Sequence, residues 1–497
     1  MEFFVIFLLI FVIGISVGLF FVIRWIYNNL KKNTHMETVK SKVSQSLTFK
    51  AVTIVVLILV LLIPGTMIQN LIKERQERSS ETVQKINDRW SSWQIMCAPL
   101  MLVPYVITKY DKDNKPYYET HTLHITPKEL KINAKLSPEE RHYGIYKAIL
   151  YKSDIHFEGY FSELSQIKID SVELLFGKAQ IAIGITDLKG VTHNPDFKIG
   201  NTILETSVGM VTLFSVSENL MVGDASQYSK RDARSRVANI SGKTLIVYLK
   251  DITLTDDLHF ECTMQLNGSS AISFIPIGQN TAVTVTGQWP SPSFIGSFSP
   301  ESNVDKGQFD ASWHVLSFNR EIPQMWLDNA ITNLEDHSFG VYLIETVDHY
   351  QQNMRSAKYA LMFIALTFTV FFFVEVITKK PILFFQYVLV GIALILFYSL
   401  LLSLSEQVGF GWAYLIASAA TILMITIYFY SLIKQKSATY ILAGILSILY
   451  AFLYIILQVE DFALLFGSIF LFIILGVIMF VSNKIKLGKP TPVNESV

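Results

Sequence analysis

Glu375 is the only acidic residue well inside an apolar run of this chain, and it is the first candidate for chemistry. Charged groups in membrane-crossing segments are costly, so they normally face protein or water. Two interpretations are open: Glu375 belongs to a proton or ion relay, or it is an interfacial carboxylate that pairs with Lys379 or Lys380. A relay needs further acids near the middle of the membrane. The apolar runs contain none, which favours the ion pair.

A segment rich in proline and aromatic residues is the sharpest cluster in the polar part of the chain. Its prolines exclude a central strand and impose an extended loop. The aromatic side chains form either a platform for a ligand or a plug at the end of a β-structure, and a plug is the more common arrangement. The candidate binding residues are Trp289, Pro290, Pro292, Phe294, Gly296, Phe298 and Pro300, with Trp313 further along.

Two further candidates lie in or beside the apolar runs. Tyr398 is one of several neutral polar residues there, and such residues commonly form hydrogen bonds between helices. Glu406 falls in a short link, where a solvated acid is the favoured interpretation. The chain shows neither the paired interrupted helices nor the inverted repeats that characterise many transporters.

Catalytic and cofactor-binding motifs are absent from the sequence. It has no GxSxG elbow, Gly-rich phosphate loop, CxxC or HExxH. Cys97 and Cys262 either form a disulfide in an oxidising compartment or remain unpaired. We therefore expect a protein without cofactor or metal that is not an enzyme. With 41 basic and 41 acidic residues, the charge gives no indication of a nucleic-acid partner.

Long apolar runs set the architecture, since 51% of residues are hydrophobic and only 16% are charged. Soluble chains carry about 25% charged residues. The first run precedes basic residues and lacks a cleavage site, which predicts a retained helix with its N-terminus outside. The seven runs, each a predicted membrane helix, are Phe3–Tyr27, Ala51–Ile68, Tyr359–Val376, Phe384–Leu404, Phe410–Leu432, Ala438–Leu457 and Phe462–Val481.

Lysines in the short links predict the orientation of these helices. Cytoplasmic links are enriched in Lys and Arg. Basic residues occur in every second link, represented by Lys50, Lys380 and Lys434, and again in the C-terminal tail. The pattern places the C-terminus in the cytoplasm and the large polar region outside.

The polar region between the second and third runs alternates apolar and polar residues, as in Gln180–Ile185 and Ala282–Thr286. Period-two alternation bounded by turn residues predicts half-buried antiparallel strands. About ten to twelve strands fit, arranged as a sandwich. Two exceptions are expected: a turn within Ser137–Tyr143 and a short helix around Pro323–Asn333.

These patterns predict an α+β membrane protein: two N-terminal membrane helices, a large mainly-β, sandwich-like domain on the non-cytoplasmic side and a C-terminal bundle of five membrane helices. The predicted divisions are an extra helix with a basic linker (residues 1–50), the second helix (51–69), the β-rich domain (70–357), the bundle (358–483) and a cytoplasmic tail (484–497).

An ordered series of short motifs extends along the chain from about Lys50 to Leu487. The motifs include Leu61–Pro64, Ile72–Arg75, Arg141–Tyr146, Trp289–Pro300, Phe372–Glu375, Gln386–Gly391, Leu404–Glu406 and Glu460–Leu465. The series resembles the CreD family, the cell envelope integrity proteins of the Gram-negative inner membrane. The resemblance implies a periplasmic domain, roles in envelope integrity, colicin tolerance and stress response, and no defined reaction. The helix Phe3–Tyr27 departs from the family pattern.

Three functions are consistent with the sequence. The first is a non-enzymatic envelope protein in the lipid bilayer, whose outer domain binds a periplasmic protein, a lipid or a cell-wall component. The second is a transport or lipid-handling protein in which Glu375 and Tyr398 line a path through the bundle. The third is a hydrolase of envelope polymers, which requires two facing acids in a polar cleft of the outer domain.

Overall fold

The structure is a computed structural model that describes residues 47–169, 172–217, 239–241, 243–250, 256–328, 333–343, 349–378 and 380–458, with isolated residues between 465 and 479. The chain divides into two compact units. The sheet unit is Ser79–Thr346, and the helical unit comprises the residues up to Arg78 and those from Val347 onward. The two boundaries of the sheet unit therefore lie inside the predicted boundaries at residues 70 and 357.

Helix α1 has 44 residues, Leu47–Trp90, with Pro64 inside it. It contains the second apolar run and continues through the polar sequence that follows. The helical unit has five further helices in the described residues. They are α2 His349–Lys358, α3 Ala360–Thr378, α4 Phe384–Val408, α5 Phe410–Ile433 and α6 Lys436–Gln458.

Four of the described helices are long and apolar enough to cross a membrane: the Lys50–Trp90 part of α1, and α4, α5 and α6. Together, α2 and α3 satisfy the same criterion with a bend of 46° between them, which would make five. The predicted helix Phe3–Tyr27 and the tail from Lys484 lie outside the described residues, as does most of Phe462–Val481.

Tight packing in the helical unit is clearest where α1 meets α4. A Cβ atom on Gly391 would lie 2.4 Å from Leu61 Cδ1 and 3.1 Å from Phe368 Cζ. Small residues let membrane helices approach closely, because no hydrophobic effect drives their association within lipid. Gly391 therefore sets how closely α1 and α3 can pack on α4.

The described residues of the sheet unit form twenty strands, more than the ten to twelve predicted. Several have only two to four residues, too few for a period-two pattern to be recognised. In chain order they are β1 Gln94–Tyr110, β2 Pro116–Ile125, β3 Glu129–Tyr143, β4 Tyr146–Phe161, β5 Glu173–Leu174, β6 Gln180–Ile185, β7 Asp196–Ile199, β8 Thr202–Leu204, β9 Thr206–Gly209, β10 Ser215–Ser217, β11 Asn239–Ser241, β12 Lys243–Tyr248, β13 Leu258–Ser269, β14 Ala271–Ile275, β15 Asn280–Gln288, β16 Pro292–Gly296, β17 Glu301–Asp305, β18 Gln308–Leu316, β19 Met325–Leu327 and β20 Phe339–Leu343.

The strands make two large sheets and the small pair β10–β11. Sheet A has ten strands in the order β16-β20-β14-β1-β6-β12-β9, with β2 and β5 also paired to β1 and β19 paired to β2. Sheet B has eight, in the order β17-β18-β15-β3-β4-β13-β7-β8. Two pairings are parallel, β1 with β14 and β15 with β3.

One hydrophobic core contains the inward side chains of both sheets. Strand β13 alternates between buried and exposed residues over most of its length, so one face contributes to the core and the other is polar. The Tyr151 hydroxyl of sheet B donates to the Ala271 carbonyl of sheet A over 2.8 Å.

Two local predictions in the polar region were wrong. Ser137–Tyr143 is not a turn but the end of β3, because Ser137 through Tyr143 pair in register with Lys152 back to Tyr146. The segment Pro323–Asn333 does not form the expected helix over its described residues, since Met325–Leu327 is the edge strand β19, paired with β2.

Arg320 is an unexpected buried cation in the sheet unit, with 6% of its surface exposed. Its Nε donates to the Gly278 carbonyl over 2.9 Å, and its Nη2 donates to the Ile277 carbonyl over 2.8 Å. Its Nη1 donates to the Ile322 carbonyl. Burial lowers the pKa of Arg320 to about 10. The guanidinium therefore ties the β14–β15 connection to the segment before β19.

Candidate functional sites

Glu375 is buried in the helical unit, with 7% of its side chain exposed, and has three partners among the described residues. Lys50 Nζ forms an ion pair with Oε1. The Ile382 backbone N–H donates to the same oxygen over 3.1 Å, and the Tyr387 hydroxyl donates to Oε2 over 3.1 Å. The carboxylate therefore joins α1, the α3–α4 connection and α4.

Local sequence explains how these partners reach Glu375. Helix α3 ends at Thr378, and Pro381 cannot continue a helix because it lacks an N–H group. The chain turns there, leaving the N–H of Ile382 available to the carboxylate. Lys50 arrives from the first turns of α1.

The predicted pairing of Glu375 with Lys380 was wrong, whereas the alternative pairing with Lys379 is not tested by the described residues. Lys380 donates to the Ile433 carbonyl at the end of α5, and Lys379 lies outside the described residues. Lys50 was overlooked because it is far away in sequence. A relay role for Glu375 remains a prediction, since every contact of the carboxylate shown here also has a structural explanation.

Tyr398 is buried on α4, with 4% of its surface exposed, and its ring lies edge-on to Phe397 at 4.9 Å. It follows Tyr387 by 11 positions on the same helix, which corresponds to about 16 Å along the axis. The structure therefore does not bring Tyr398 beside Glu375, as a shared path would require.

Glu406 belongs to the last turns of α4 rather than to a solvated loop. It is partly buried and accepts a hydrogen bond from the Tyr350 hydroxyl over 3.2 Å. Beside it, Asn353 Nδ2 donates to Ser405 Oγ over 2.7 Å. These contacts fasten α2 to the end of α4.

A groove of about 410 Å³ lies between α4 and α5. It contains neither Glu375 nor Tyr398. Most of its lining is apolar, with two serines on α4 and one threonine on α5. The lining residues are Ala393, Leu396, Phe397, Ser399, Leu400, Ser403, Ala420, Thr421 and Met424.

The two tryptophans of the aromatic cluster pack inward in the sheet unit. Trp289 and Trp313 have 7% and 1% of their surfaces exposed. Trp313 lies 5.2 Å from Phe339 and 6.0 Å from Phe294, centroid to centroid, and its Nε1–H donates to the Phe298 carbonyl over 3.0 Å. Such packing is what the plug interpretation predicts, because rings buried in a core cannot stack on an external ligand.

The prolines and glycine of this cluster shape an edge of sheet A. Pro292 begins the edge strand β16, a position where its missing N–H costs no ladder bond. Gly296 ends β16 at φ +97°, where a Cβ atom would lie 2.1 Å from the Ser338 carbonyl oxygen. Pro290 is exposed, whereas Phe298 and Pro300 are partly buried. A binding role for the cluster remains a prediction.

Sequence reasoning missed a polar cluster at the β1–β2 hairpin. His121 Nδ1 lies 2.8 Å from Asp328 Oδ2, and His121 Nε2 lies 3.3 Å from Glu119 Oε2. Asp328 also accepts from the Thr122 N–H over 3.0 Å and from the Tyr105 hydroxyl over 3.3 Å. Only Asp328 is distant in sequence, so the alternation of β1 and β2 gave no signal for the cluster.

Both carboxylates of this cluster are held in the ionised form. Burial acts to raise the pKa of Asp328, but the hydrogen bonds from Thr122, His121 and Tyr105 outweigh it and lower the pKa. The hydrogen bond from Lys109 is the main cause that lowers the pKa of Glu119. The imidazole of His121 lies between the two acids, with one ring nitrogen near an oxygen of each.

The two cysteines are unpaired and completely buried, Cys97 in sheet A and Cys262 in sheet B. Burial raises the pKa of each thiol to about 12. Within the part of the chain that the structure describes, no three His, Cys, Asp or Glu residues are grouped so that they could hold a metal ion.

Comparison with known proteins identifies the family. Residues 46–487 match the family described as inner membrane protein CreD. The chain belongs to the CreD family. Its similarity to the inner membrane protein CreD of Escherichia coli (strain K12) amounts to 29% identity over 437 residues, which cover 86% of this chain and 91% of that protein. As a CreD-family protein with several apolar helices, it is a multi-pass protein of the inner membrane.

Proposed function

We propose that this CreD-family protein is a non-enzymatic envelope protein whose sheet unit, a two-layered sandwich, binds an envelope partner outside the cytoplasm. The observation that carries the proposal is an exposed aromatic surface at the β1–β2 hairpin. Tyr110 and Tyr118 lie on one face of the hairpin with 63% and 72% of their surfaces exposed, and Tyr117 lies on the opposite face with 42% exposed. Tyrosine is enriched at binding interfaces because it offers a large rigid contact area and a hydroxyl.

Distribution of charge in the helical unit supports the proposed orientation. Lys50 and Lys380 lie near the same end, because Lys50 pairs with Glu375 and Lys380 donates to Ile433, the last residue of α5. Glu406 lies at the opposite end of α4. Lysines favour the cytoplasmic side, so the proposal places the sheet unit and Glu406 outside.

Partner binding is tested by photo-crosslinking of the full chain in native membranes. Tyr118 is replaced by benzoylphenylalanine, with Tyr248, which is 56% exposed, as the matched control position. We expect a specific adduct from position 118 and none from position 248, with mass spectrometry identifying the captured species as protein, lipid or cell-wall material. Equal adducts at both positions, or none, would contradict a partner site at this hairpin.

Orientation is tested by labelling intact cells with a membrane-impermeant maleimide after permeabilising the outer membrane. Both native cysteines are buried, so the native protein supplies a low background. We expect Ser302→Cys, on the exposed strand β17, to be labelled, and Ser437→Cys, at an exposed position in the first turn of α6, to react only after lysis. The reverse pattern would overturn the orientation.

Lipid handling is the second candidate function, supported by the groove between α4 and α5. Its lining is mainly apolar, and it lies between two helices that can cross a membrane. Ala420→Phe would fill the groove, whereas Ala419→Phe, at a neighbouring exposed position, is the control. If the groove serves function, only the first variant reduces envelope tolerance in a complemented deletion strain. Equal behaviour of the two variants would remove this candidate.

A further inference from the structure

The hydrogen bonds of His121 depend on its protonation state. Its two ring nitrogens face carboxylate oxygens of Asp328 and Glu119, at 2.8 and 3.3 Å. A neutral imidazole has one N–H and can donate to only one of them, while the other nitrogen then directs a lone pair at an anionic oxygen. The imidazolium donates to both. The geometry is therefore complete only when His121 carries an extra proton.

Other groups around His121 limit what deprotonation removes. Lys109 Nζ lies 2.6 Å from Glu119 Oε2, so Glu119 keeps a cation. Tyr105 stacks on the imidazole at 5.3 Å and donates to Asp328. On β5, Glu173 pairs with Val106, whose side chain lies on the opposite face of the sheet from Tyr105. Loss of the proton therefore weakens the cluster without dispersing it.

The element that this cluster holds is β19. This edge strand has three residues and pairs only with β2 in the described sheet. Asp328 follows it directly at φ +48°, with its N–H donating to the Thr122 carbonyl over 2.7 Å. A short edge strand has few bonds of its own, so a contact at its end makes a large difference to how often it opens.

We propose that His121 is a proton-dependent clamp that holds β19 against β2 when protonated and loosens it when neutral. This inference goes beyond the proposed function, because it concerns how the sheet unit responds to pH whatever its partner. If the sheet unit lies outside the cytoplasm, the clamp meets the pH of that compartment.

His124, also on β2, acts in the opposite direction. It stacks on Trp326 of β19 at 5.1 Å, and burial is the main cause that lowers its pKa. A lowered histidine pKa means that its stabilising effect is present at neutral pH and is lost on acidification. The contribution of His121 must therefore be measured as the difference between the native chain and a His121 variant at each pH.

Hydrogen–deuterium exchange of the purified full chain in detergent tests the clamp, with a chelator present to exclude bound metal. After correction for intrinsic exchange, we expect the protection of β19 to fall about fivefold between roughly pH 6 and pH 8. His121→Gln should remove this fall. His156→Gln is the control, since its carboxylate neighbours lie at 3.9 Å.

Glu119→Gln provides a second variant that keeps His121 and Asp328 in place. This variant should also reduce the pH dependence of β19 protection, because the second N–H of the imidazolium then has no carboxylate at position 119 to donate to. If β19 in the native chain is equally protected across this range, or if His121→Gln keeps the native dependence, the clamp is wrong. The measurement does not depend on orientation or partner, so its failure would leave the proposed function standing.

Discussion

The buried Glu375 carboxylate depends on a cation contributed by another helix. Among the described residues, Lys50→Met would leave the charge with the Ile382 N–H and the Tyr387 hydroxyl as its donors. Breaking a buried ion pair typically costs about 3–5 kcal/mol. Because Lys50 is 29% exposed, we expect about 2 kcal/mol here, measured as a lower unfolding temperature in detergent.

The double variant Lys50→Met with Glu375→Gln should recover much of that loss, because the stranded charge is gone. Lys436→Met, at an exposed lysine that begins α6, is the control and should be near neutral. Equal stability of Lys50→Met and this control would show that the ion pair does not stabilise the helical unit.

Arg320 offers a comparable test in the sheet unit. Arg320→Met keeps most of the side-chain volume but leaves the carbonyls of Gly278, Ile277 and Ile322 without their donor. Unsatisfied buried groups cost about 1–3 kcal/mol each before relaxation. We expect a loss of about 3 kcal/mol in the free energy of unfolding, from denaturant titration. Arg89→Met, at an exposed arginine, should change it by less than about 0.5 kcal/mol.

At the scale of single elements, two glycines in membrane helices make a matched pair. Gly391→Ala brings a Cβ atom within 2.4 Å of Leu61 on α1, whereas nothing lies within 4 Å of a Cβ on Gly444 in α6. Alanine favours a helix over glycine by about 1 kcal/mol. We therefore expect Gly444→Ala to be neutral or stabilising and Gly391→Ala to be destabilising by about 1 kcal/mol.

Thermal unfolding in detergent, followed by circular dichroism at 222 nm, distinguishes the two glycine variants. Gly391→Val should destabilise the protein more than Gly391→Ala does, because its extra methyl groups must displace Leu61 further. If Gly391→Ala is as stable as Gly444→Ala, Leu61 moves aside freely and the approach of α1 to α4 is not tight.

How far the sequence predicts an element depends on how local its signal is. The predicted run Phe410–Leu432 differs from α5 by a single residue, because a long apolar stretch marks a helix by itself. Strands such as β5 and β19 exist only through their partners and leave no pattern of their own. The Lys50–Glu375 pair was equally inaccessible, since Lys379 and Lys380 were closer in sequence and no periodicity connects α1 with α3.

For the whole molecule, two separate cores predict two unfolding events. The sheet unit has one hydrophobic cluster and the helical unit another. Detergent continues to cover apolar helices after the sheet unit has opened, so we expect the sheet unit to unfold first on heating. Pulse labelling should show Cys97 and Cys262 becoming reactive together while most of the helical signal at 222 nm remains. A single coincident transition by both probes would contradict this.

The parallel pairing of β1 with β14 has a consequence for the order of folding. Gln94 on β1 lies opposite Ile272 on β14, so the central strand of sheet A acquires one of its neighbours only after most of the sheet unit has been synthesised. Distant pairings close slowly because the chain entropy of a long loop is lost before the contact forms. Until then β1, whose first residues are buried in the native sheet, exposes its apolar side chains and one unpaired backbone edge. The nascent chain therefore has a period of vulnerability to aggregation and proteolysis that ends with the arrival of β14.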